Sequence, residues 1–360
     1  MNLPVNPPVL PMLSKRIDQL PEGGAWIFEP KWDGFRSLIF RDGDEILIQS
    51  RDSKPLNRYF PEVVETLLAQ LPERCALDGE IVIARNGRLD FDALQLRLHP
   101  AASRVKMLSG TIPASVVLFD VLCIGDRDLR DEPFTTRRRE LESILSGATP
   151  PIHITPATRD PAVASDWFAR FEGAGLDGVM AKPAAGLYEP DKRVMLKVKH
   201  ERDCDCVVAG FRWHKKGERS NIGSLLLGLF DHAGALQHVG VCASFSEARR
   251  KELADFLAPY RKNALVDHPW KEWAAPDVAG EPQRMPGGQS RWSQGKDLSW
   301  EPLRSELVVE VAYEHMQGSR FRHMAQFRRW RTDKRPEDCT YAQLEVIPAQ
   351  ELTAIFGSGK

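Results

Sequence analysis

The run EPKWDGFR at residues 29–36 holds a lysine whose neighbours favour covalent chemistry. Lys31 stands between a proline and a tryptophan in a strand-like apolar run, so we expect its side chain to be partly desolvated. Loss of hydration favours the neutral amine, which is the only nucleophilic form of lysine. Asp33, Gly34 and Arg36 follow at fixed spacing, and the glycine permits close backbone approach. Taken alone, these residues fit either a nucleophilic lysine or an ordinary surface turn.

Two further lysines, Lys197 and Lys199, lie in RVMLKVKH at residues 193–200. Alternation along a strand puts both on one face, with Leu196 and Val198 on the other. Cations placed in this way could bind a phosphate and disfavour protonation of a nearby lysine. A solvent-facing basic edge of a sheet explains the same pattern.

Carboxylates and one aromatic residue complete the candidate chemistry. Glu80, in LDGEIVI, could accept hydrogen bonds from a sugar hydroxyl or cap a turn at the end of a strand. Phe119, in VVLFDVL, would ordinarily be a core aromatic. Asp120 beside it puts a charge into an apolar strand, which is costly unless that charge is paired.

The charge of the chain is unevenly spread, although its net value is only −1. Residues 193–219 carry eight basic and four acidic side chains, and residues 318–335 carry seven basic side chains and one acidic one. Local basic stretches of this kind suit a phosphate-rich partner. A solvated face of a strand or helix accounts for them equally well.

Length and composition restrict the class of protein. At 360 residues, with 42% hydrophobic and 28% charged residues, the chain suits two globular domains. We expect no membrane span, because no apolar run approaches ~20 residues, and no signal peptide, because the proline-broken start lacks an apolar core. Six cysteines fit a reducing compartment better than a disulfide framework. Cys204 and Cys206 lack the second Cys or His pair that a zinc site needs.

Segments typical of strands and helices alternate over the first 200 residues. Strands are predicted at 26–40, 45–51, 75–84, 114–124, 177–183 and 193–200, and helices at 61–71, 135–147 and 161–175. After a charged segment at 201–206, short strands divided by glycine turns predict a small β-barrel, interrupted by one helix at 246–261. Residues 274–299 are rich in Gly, Pro, Ser and Gln and predict a long loop.

The pattern K-x-D-G-x-R at Lys31 resembles motif I of the covalent nucleotidyltransferases, which comprise DNA ligases, RNA ligases and mRNA capping enzymes. The later motifs of that superfamily follow in order: SRDSKPLNRYFPE resembles motif Ia, LDGE motif III, VVLFDVL motif IIIa, DGVMAKP motif IV, LKVK motif V and RWRTDK motif VI. Each motif is weak alone, but the preserved order makes coincidence very improbable. The whole pattern is most similar to the small bacterial LigC-type ATP-dependent DNA ligases.

This resemblance implies an α+β fold. A nucleotidyltransferase domain of packed antiparallel sheets with helices would span 1–200, and an OB-fold β-barrel domain would span 201–360. The implied function is ATP-dependent sealing of 5′-phosphate/3′-hydroxyl breaks in duplex DNA through a lysyl-AMP intermediate, in DNA repair. An RNA ligase, a capping enzyme or another polynucleotide nucleotidyltransferase is the nearest alternative. A non-catalytic OB-fold nucleic-acid-binding protein is the alternative from another class.

The resemblance also assigns roles to residues. The catalytic set is Lys31, Asp33, Lys197 and Lys199. The nucleotide would be bound by Glu29, Arg36, Arg51, Glu80, Phe119, Lys197, Lys199, Arg331 and Lys334. Glu80 and Asp177 would hold Mg²⁺ or Mn²⁺. Asp177 departs from the glutamate usual at this position of motif IV and is one methylene shorter, which makes contact with the metal through water more plausible than direct ligation.

Expectations about partners follow from the same resemblance. The substrate would be nicked or broken duplex DNA, bound by a monomer in the bacterial cytoplasm at the nucleoid. Larger ligases place a helical DNA-binding domain before motif I, whereas Lys31 is close to the start of this chain. We therefore expect weak intrinsic DNA binding and assistance from a DNA-end-binding or repair protein. Motif VI would reach the triphosphate by closure of the second domain, with residues 201–206 as the hinge.

Replacing Lys31 with Ala or Arg should abolish the covalent adduct between enzyme and AMP. Alanine lacks the amine, and a guanidinium stays protonated and is not nucleophilic. Incubation with α-labelled ATP, followed by denaturation, measures the adduct. Both variants should still bind ATP, and a labelled adduct in either of them would show that another residue is the nucleophile.

Overall fold

A computed structural model describes residues 1–216, 219–273 and 299–344, and these form two compact units that divide between Lys199 and His200. The predicted loop at 274–299 lies outside the described residues except for its last position. Among the helices of the described residues, none is long and apolar enough to cross a membrane. All six cysteines are buried free thiols.

The described part of the first unit, residues 1–199, contains twelve strands and five α-helices. The strands are β1 (Leu13–Ile17), β2 (Trp26–Pro30), β3 (Phe35–Asp42), β4 (Glu45–Ser50), β5 (Arg74–Val82), β6 (Ala84–Arg85), β7 (Arg88–Leu89), β8 (Ser115–Ile124), β9 (Arg127–Asp128), β10 (Ile152–Ile154), β11 (Val179–Pro183) and β12 (Arg193–Val198). The helices are α1 (Pro61–Gln70), α2 (Phe91–Leu96), α3 (Ala102–Thr111), α4 (Phe134–Ile144) and α5 (Pro161–Arg170).

Two mainly antiparallel sheets organise this unit. The first has the strand order β1-β12-β11-β2, and the second has the order β10-β8-β5-β3-β4 with β9 paired to β8. Alternation along β3 sorts its apolar residues between two cores: Ile39 packs towards the helices, whereas Leu38 and Phe40 share a core with Met195 of the first sheet. The second sheet is therefore covered on both faces.

The predicted strand at 26–40 is wrong in one respect, because it is two strands. β2 ends at Pro30 in the first sheet, and β3 begins at Phe35 in the second. Residues 31–34 cross between the sheets, so the candidate nucleophile Lys31 lies where the chain changes sheet. Gly34 makes the crossing possible, since a Cβ there would stand 2.2 Å from the backbone oxygen of Ile81.

The helices begin and end for local reasons. At α5, Pro161 takes the first helical position and the side chain of Asp160 accepts a hydrogen bond from the N–H of Ala162 at 2.8 Å. The predicted helix at 161–175 stops at Arg170, and a short 3₁₀ turn then ends at Gly175, whose φ is +86°. The sequence prediction missed α2 and α3, which are short and weakly periodic.

The second unit is built around a five-stranded antiparallel sheet. Its elements are β13 (Arg202–Trp213), β14 (Ile222–Phe230), β15 (Leu236–Cys242), α6 (Glu247–Leu257), β16 (Glu301–Tyr313), β17 (Met316–Gln317), β18 (Arg320–Phe321) and β19 (Gln326–Trp330). The sheet order is β15-β14-β13-β16-β19, and a bridge joins Cys242 to Ala325, immediately before β19. The two edges of the sheet therefore meet and close a barrel.

The segment 201–206 differs from the hinge that its charges suggested. Arg202 is the first residue of β13, and residues 202–208 pair with β16 from Tyr313 down to Leu307. Cys204 and Cys206 point into the barrel core, where both are buried. Most of this segment is thus ordinary barrel strand, and only Glu201 precedes it.

A buried ion pair links the central strand β8 to helix α4. Asp120 accepts two hydrogen bonds from Arg137, at 2.8 and 3.0 Å, and both side chains are almost completely buried. The charge that the sequence placed in an apolar strand is therefore paired. Removing one member of such a pair leaves the other charge buried without compensation.

Replacing Asp120 with Asn should lower the free energy of unfolding of the first unit by about 3 to 5 kcal/mol, because Arg137 would lose its counter-ion in a dry environment. Urea denaturation followed by circular dichroism measures the change. Glu140→Gln is the matched control: Glu140 lies on the same helix, its loss removes a partly exposed ion pair with Arg127 of β9, and it should give no resolvable change. Equal stability of the two variants would contradict this role of the pair.

Candidate active site

A cleft of about 190 Å³ in the first unit brings together most of the predicted nucleotide-binding residues. Its wall includes six of them, namely Glu29, Arg36, Arg51, Glu80, Phe119 and Lys197, together with the predicted nucleophile Lys31. Residues from β1, β2, β3, β5, β8, β11 and β12 contribute, so both sheets build the wall. The cleft therefore depends on the packing of the two sheets.

The side chain of Lys31 enters an ion-paired cluster. Its Nζ contacts Oδ2 of Asp177, and Nζ of Lys199 reaches the same oxygen at 3.0 Å. Asp177 is buried, whereas the side chain of Lys31 keeps 21% of its exposure. One carboxylate thus holds two ammonium groups beside each other, and one of them belongs to the predicted nucleophile.

The backbone fixes this cluster. The N–H of Lys31 donates to the oxygen of Gly178 at 2.9 Å, and the N–H of Asp177 donates to the oxygen of Lys31 at 2.8 Å. Gly178 has φ +123°, and a Cβ at this position would stand 2.0 Å from the oxygen of Val198. Only glycine fits there, so the D-G pair of motif IV is required to place Asp177 against Lys31.

Glu80 also lines the cleft and lies near the end of β5. Its Oε1 accepts a hydrogen bond from the N–H of Gly34 at 3.1 Å. Burial raises the pKa of the Glu80 carboxyl to about 7, although the positive charges of Arg36 and Lys31 act in the opposite direction. The negative charge of Asp33 adds to the increase. Glu80 is therefore partly protonated near neutral pH.

Arg36 is fixed by a second buried carboxylate. Asp78 receives Nε and Nη2 of Arg36 in two hydrogen bonds of 2.5 Å, and it also accepts one from the hydroxyl of Tyr188 at 2.6 Å. The guanidinium lies 4.7 Å from the centre of the Phe119 ring. Arg36 is thereby held at the wall of the cleft in one orientation.

Lys182 is a cleft residue that the sequence argument did not single out. Its Nζ is 2.7 Å from Glu29, donates to the backbone oxygen of Phe119 at 3.2 Å and lies 4.8 Å from the centre of that ring. Burial raises the pKa of Glu29, and Lys182 and Arg138 oppose that shift. The buried position of Lys182 inside DGVMAKP was the available signal, because a lysine in an apolar strand needs a carboxylate partner.

Some of the remaining predicted residues line the cleft and others do not. Arg51 is exposed at the cleft wall. Asp33 is not among the described residues that line the cleft. It lies in the crossing segment at 31–34, close to Glu80. Arg193, which the sequence argument did not select, lines the cleft and donates to the oxygen of Ser14.

Comparison with known proteins identifies the family. A family model for the ATP dependent DNA ligase domain matches residues 11–199, and one for the ATP dependent DNA ligase C terminal region matches residues 218–334. DNA ligase C2 of Mycolicibacterium smegmatis is 54% identical over 353 residues, covering 97% of each chain. The chain belongs to the ATP-dependent DNA ligases.

Further relatives agree with this family. DNA ligase C of Mycobacterium tuberculosis is 54% identical to this ligase over 349 residues, covering 96% of each chain. A solved structure of a Lig E DNA ligase, 17% identical, covers 90% of this chain and all of its own chain with a TM-score of 0.55, which shows a shared fold. The predicted LigC-type family, the nucleotidyltransferase and OB-fold architecture and the ATP dependence are confirmed. The non-catalytic alternative is thereby excluded.

In the second unit of this ligase, the motif VI cations surround one carboxylate. Nη1 of Arg331 is 3.0 Å from both carboxylate oxygens of Asp205, and Nζ of Lys334 is 2.7 Å from Oδ2. The hydrogen bond to Asp205 raises the pKa of Lys334. Asp333 pairs with Arg331 through two contacts of 2.9 Å, and this pairing lowers its pKa to about 2.

The donors around Lys31 suit a divalent cation of the hard class. Carboxylate oxygens are preferred by Mg²⁺, which usually takes one or two of them together with water and substrate phosphates. Glu80 and Asp177 are the carboxylates that the sequence assigned to the metal, and no cluster of three or more metal-binding side chains occurs in the described parts of the chain. The residues therefore fit a cation held jointly with the phosphates of ATP, and such metals are standard for ATP-dependent ligases.

The raised pKa of Glu80 predicts release of protons when nucleotide binds. A ribose hydroxyl or a metal favours the ionised carboxylate, so binding should lower the pKa from about 7. At pH 6.5 the wild-type enzyme should release up to about three quarters of a proton from this group. Titration calorimetry with Mg²⁺ and α,β-methylene ATP, in buffers of different ionisation enthalpy, measures it.

Glu80→Gln provides the matched control, because glutamine keeps the shape of the side chain and cannot titrate. Subtracting its proton release from that of the wild type removes the contribution of the nucleotide itself. The difference should shrink above pH 8, where Glu80 is already ionised. Identical proton release by the two proteins at pH 6.5 would show that Glu80 does not change ionisation on binding.

Proposed function

We propose that this ligase seals 5′-phosphate/3′-hydroxyl breaks in duplex DNA through AMP bound covalently to Lys31. The observation that carries the proposal is the position of Lys31 at the wall of the cleft, in contact with Asp177 and next to Lys199. Lys31 lines the cleft beside a carboxylate that could accept its proton. It also lies next to a second ammonium group, that of Lys199, which could bind phosphate. The proposed first domain is 1–200 and the second is 201–360.

The first step forms the adduct. The neutral amine of Lys31 attacks the α-phosphorus of ATP, the Nζ–P bond forms, and the bond to the bridging oxygen of pyrophosphate breaks. The proton of the ammonium must leave before attack, and the carboxylate of Asp177 in contact with Nζ is placed to accept it. Lys197 and Lys199 would neutralise the charge that develops on the phosphate oxygens.

The nucleotide would be oriented by groups that the cleft already holds in place. Phe119 would stack on adenine, with Glu29 and Lys182 as polar contacts at the same end of the cleft. Glu80, when ionised, would accept a hydrogen bond from a ribose hydroxyl. Arg36 is held by Asp78 and would contact phosphate.

A divalent cation would be held by Asp177 and Glu80 together with the phosphates of ATP. When bound, it supplies positive charge that offsets the charge on the transferred phosphate and on pyrophosphate. Asp177 already contacts two ammonium groups. It would therefore bind the cation either after losing one of these contacts or through a water molecule. Glu80 is the carboxylate with fewer competing partners.

Two further steps complete sealing. The 5′-phosphate of the break attacks the phosphorus of lysyl-AMP, so AMP moves to the DNA and Lys31 is released as the amine. The 3′-hydroxyl then attacks the 5′-phosphorus, the new phosphodiester bond forms and AMP leaves with the bridging oxygen. Arg51 is exposed at the cleft wall and would contact the phosphate at the break. Arg331 and Lys334 would act on the triphosphate in the first step.

The biological setting is also a proposal. A ligase whose substrate is nicked duplex DNA would act in the cytoplasm of a bacterium, at the nucleoid, and in DNA repair. We propose a monomer that is assisted by a DNA-end-binding or repair protein. The cations at 318–335 give limited support for DNA binding by that stretch, because most of those in the structure already face carboxylates of their own unit.

Sealing assays on matched substrates test the proposal. Duplexes of the same sequence should carry one nick in either a DNA or an RNA strand, and each should be incubated with ATP, GTP or NAD. We expect sealing of the nicked DNA with ATP, and at least tenfold less with GTP or NAD. Rapid sealing of the RNA nick together with slow sealing of the DNA nick would favour an RNA ligase. Lys31→Ala is the control for a contaminating ligase.

A further inference from the structure

Asp205 forms the centre of the cation cluster in the second unit. Its carboxylate accepts both contacts of Nη1 of Arg331 at 3.0 Å and one from Nζ of Lys334 at 2.7 Å. The side chain of Asp205 is 11% exposed, less than those of Arg331 at 19% and Lys334 at 24%. The sequence motifs do not include this residue, which lies in β13, far along the chain from motif VI.

The backbone around Asp205 is fixed on both sides. Its N–H donates to Oε1 of Gln343 at 2.9 Å, and its carbonyl oxygen accepts from Nε2 of Gln343 at 2.9 Å. In the pairing of β13 with β16, Asp205 faces Glu310, which also contacts Arg331 at 3.3 Å. The carboxylate is therefore held at a defined point of the barrel surface.

We propose that Asp205 is a positioning residue that holds Arg331 and Lys334 together for contact with the triphosphate of ATP. The proposal rests on the roles proposed above for these two cations. Long basic side chains lose rotamer freedom when they bind an anion, and a fixed carboxylate that has already ordered them reduces this cost. Asp205 does not contact the reacting atoms in this account.

The alternative is that Asp205 competes with phosphate for the same cations. Two features favour positioning. The carboxylate is less exposed than either cation, so the more exposed parts of the two cations stay open to a phosphate that arrives from solvent. The ammonium of Lys334 has three donors, and Asp205 accepts one of them, which leaves donors for a phosphate. Competition and positioning predict opposite effects when the charge is removed.

The experiment replaces Asp205 with Asn and compares two steps. Self-adenylylation is measured as a function of ATP concentration, and joining is measured on a nick that already carries AMP. Positioning predicts at least a tenfold lower maximal rate of self-adenylylation, with joining within threefold of the wild type. Asp205→Glu, which restores the charge, should recover part of the loss. Asp203→Asn is the control, since it removes an exposed carboxylate of the same strand that does not contact Arg331 or Lys334.

A mutant cycle with both cations removed tests whether Asp205 acts through them. In the Arg331→Ala/Lys334→Ala background, Asp205→Asn should cost at most threefold more, because both groups it positions are already absent. Losses that multiply in full would overturn the proposal, as would equal losses in both steps, which indicate a role in folding. Faster self-adenylylation of Asp205→Asn at low ATP would establish competition instead.

The same cycle separates this inference from the proposed function. If Lys334→Ala and Arg331→Ala leave self-adenylylation unchanged, the proposed role of motif VI fails. If these variants are impaired and Asp205→Asn is not, the motif VI role stands and the role of Asp205 is wrong.

Discussion

The structure of the candidate site depends on one carboxylate that is shared by two lysines. Asp177 is buried and contacts both Lys31 and Lys199, and the contact exists because β2 ends where β11 begins beside it. Gly178 allows the backbone to pass Val198 at a distance that no other residue permits. The motifs that carry these residues are far apart in sequence, and the first sheet brings their side chains to the same place.

In both units, the cations proposed to bind nucleotide are paired with carboxylates of little exposure. In the first unit, buried carboxylates hold the cations that line the cleft: Glu29 holds Lys182, and Asp78 holds Arg36. In the second, Asp205 holds the motif VI cations. An enzyme that binds a polyphosphate needs cations in fixed positions, and an internal carboxylate keeps them ordered before the substrate arrives. The net charge of −1 reflects this compensation.

The sequence predicted the fold class and most cleft residues, because motif order and strand alternation can be identified directly in the amino-acid sequence. It missed the break of the strand at residues 31–34, since a strand that changes sheet has the same composition as one that continues. Lys182 and Asp205 were also missed. Their roles depend on partners distant in sequence, and nothing local shows that Glu29 or Arg331 will lie beside them. The segment predicted to be a hinge lies mostly in a barrel strand, where its charged residues neighbour two buried cysteines. Closure of the second domain stays a prediction.

Direct mapping of the adduct tests the central claim, that the residue at the sheet crossing is the nucleophile. The wild-type enzyme is incubated with ATP and Mg²⁺, digested with trypsin at a pH that preserves the phosphoramidate bond, and examined by tandem mass spectrometry. We expect AMP on Lys31, in the peptide that runs from residue 17 to residue 36 with Lys31 uncleaved. AMP on Lys182, Lys197 or Lys199 instead, with an unmodified Lys31, would contradict it.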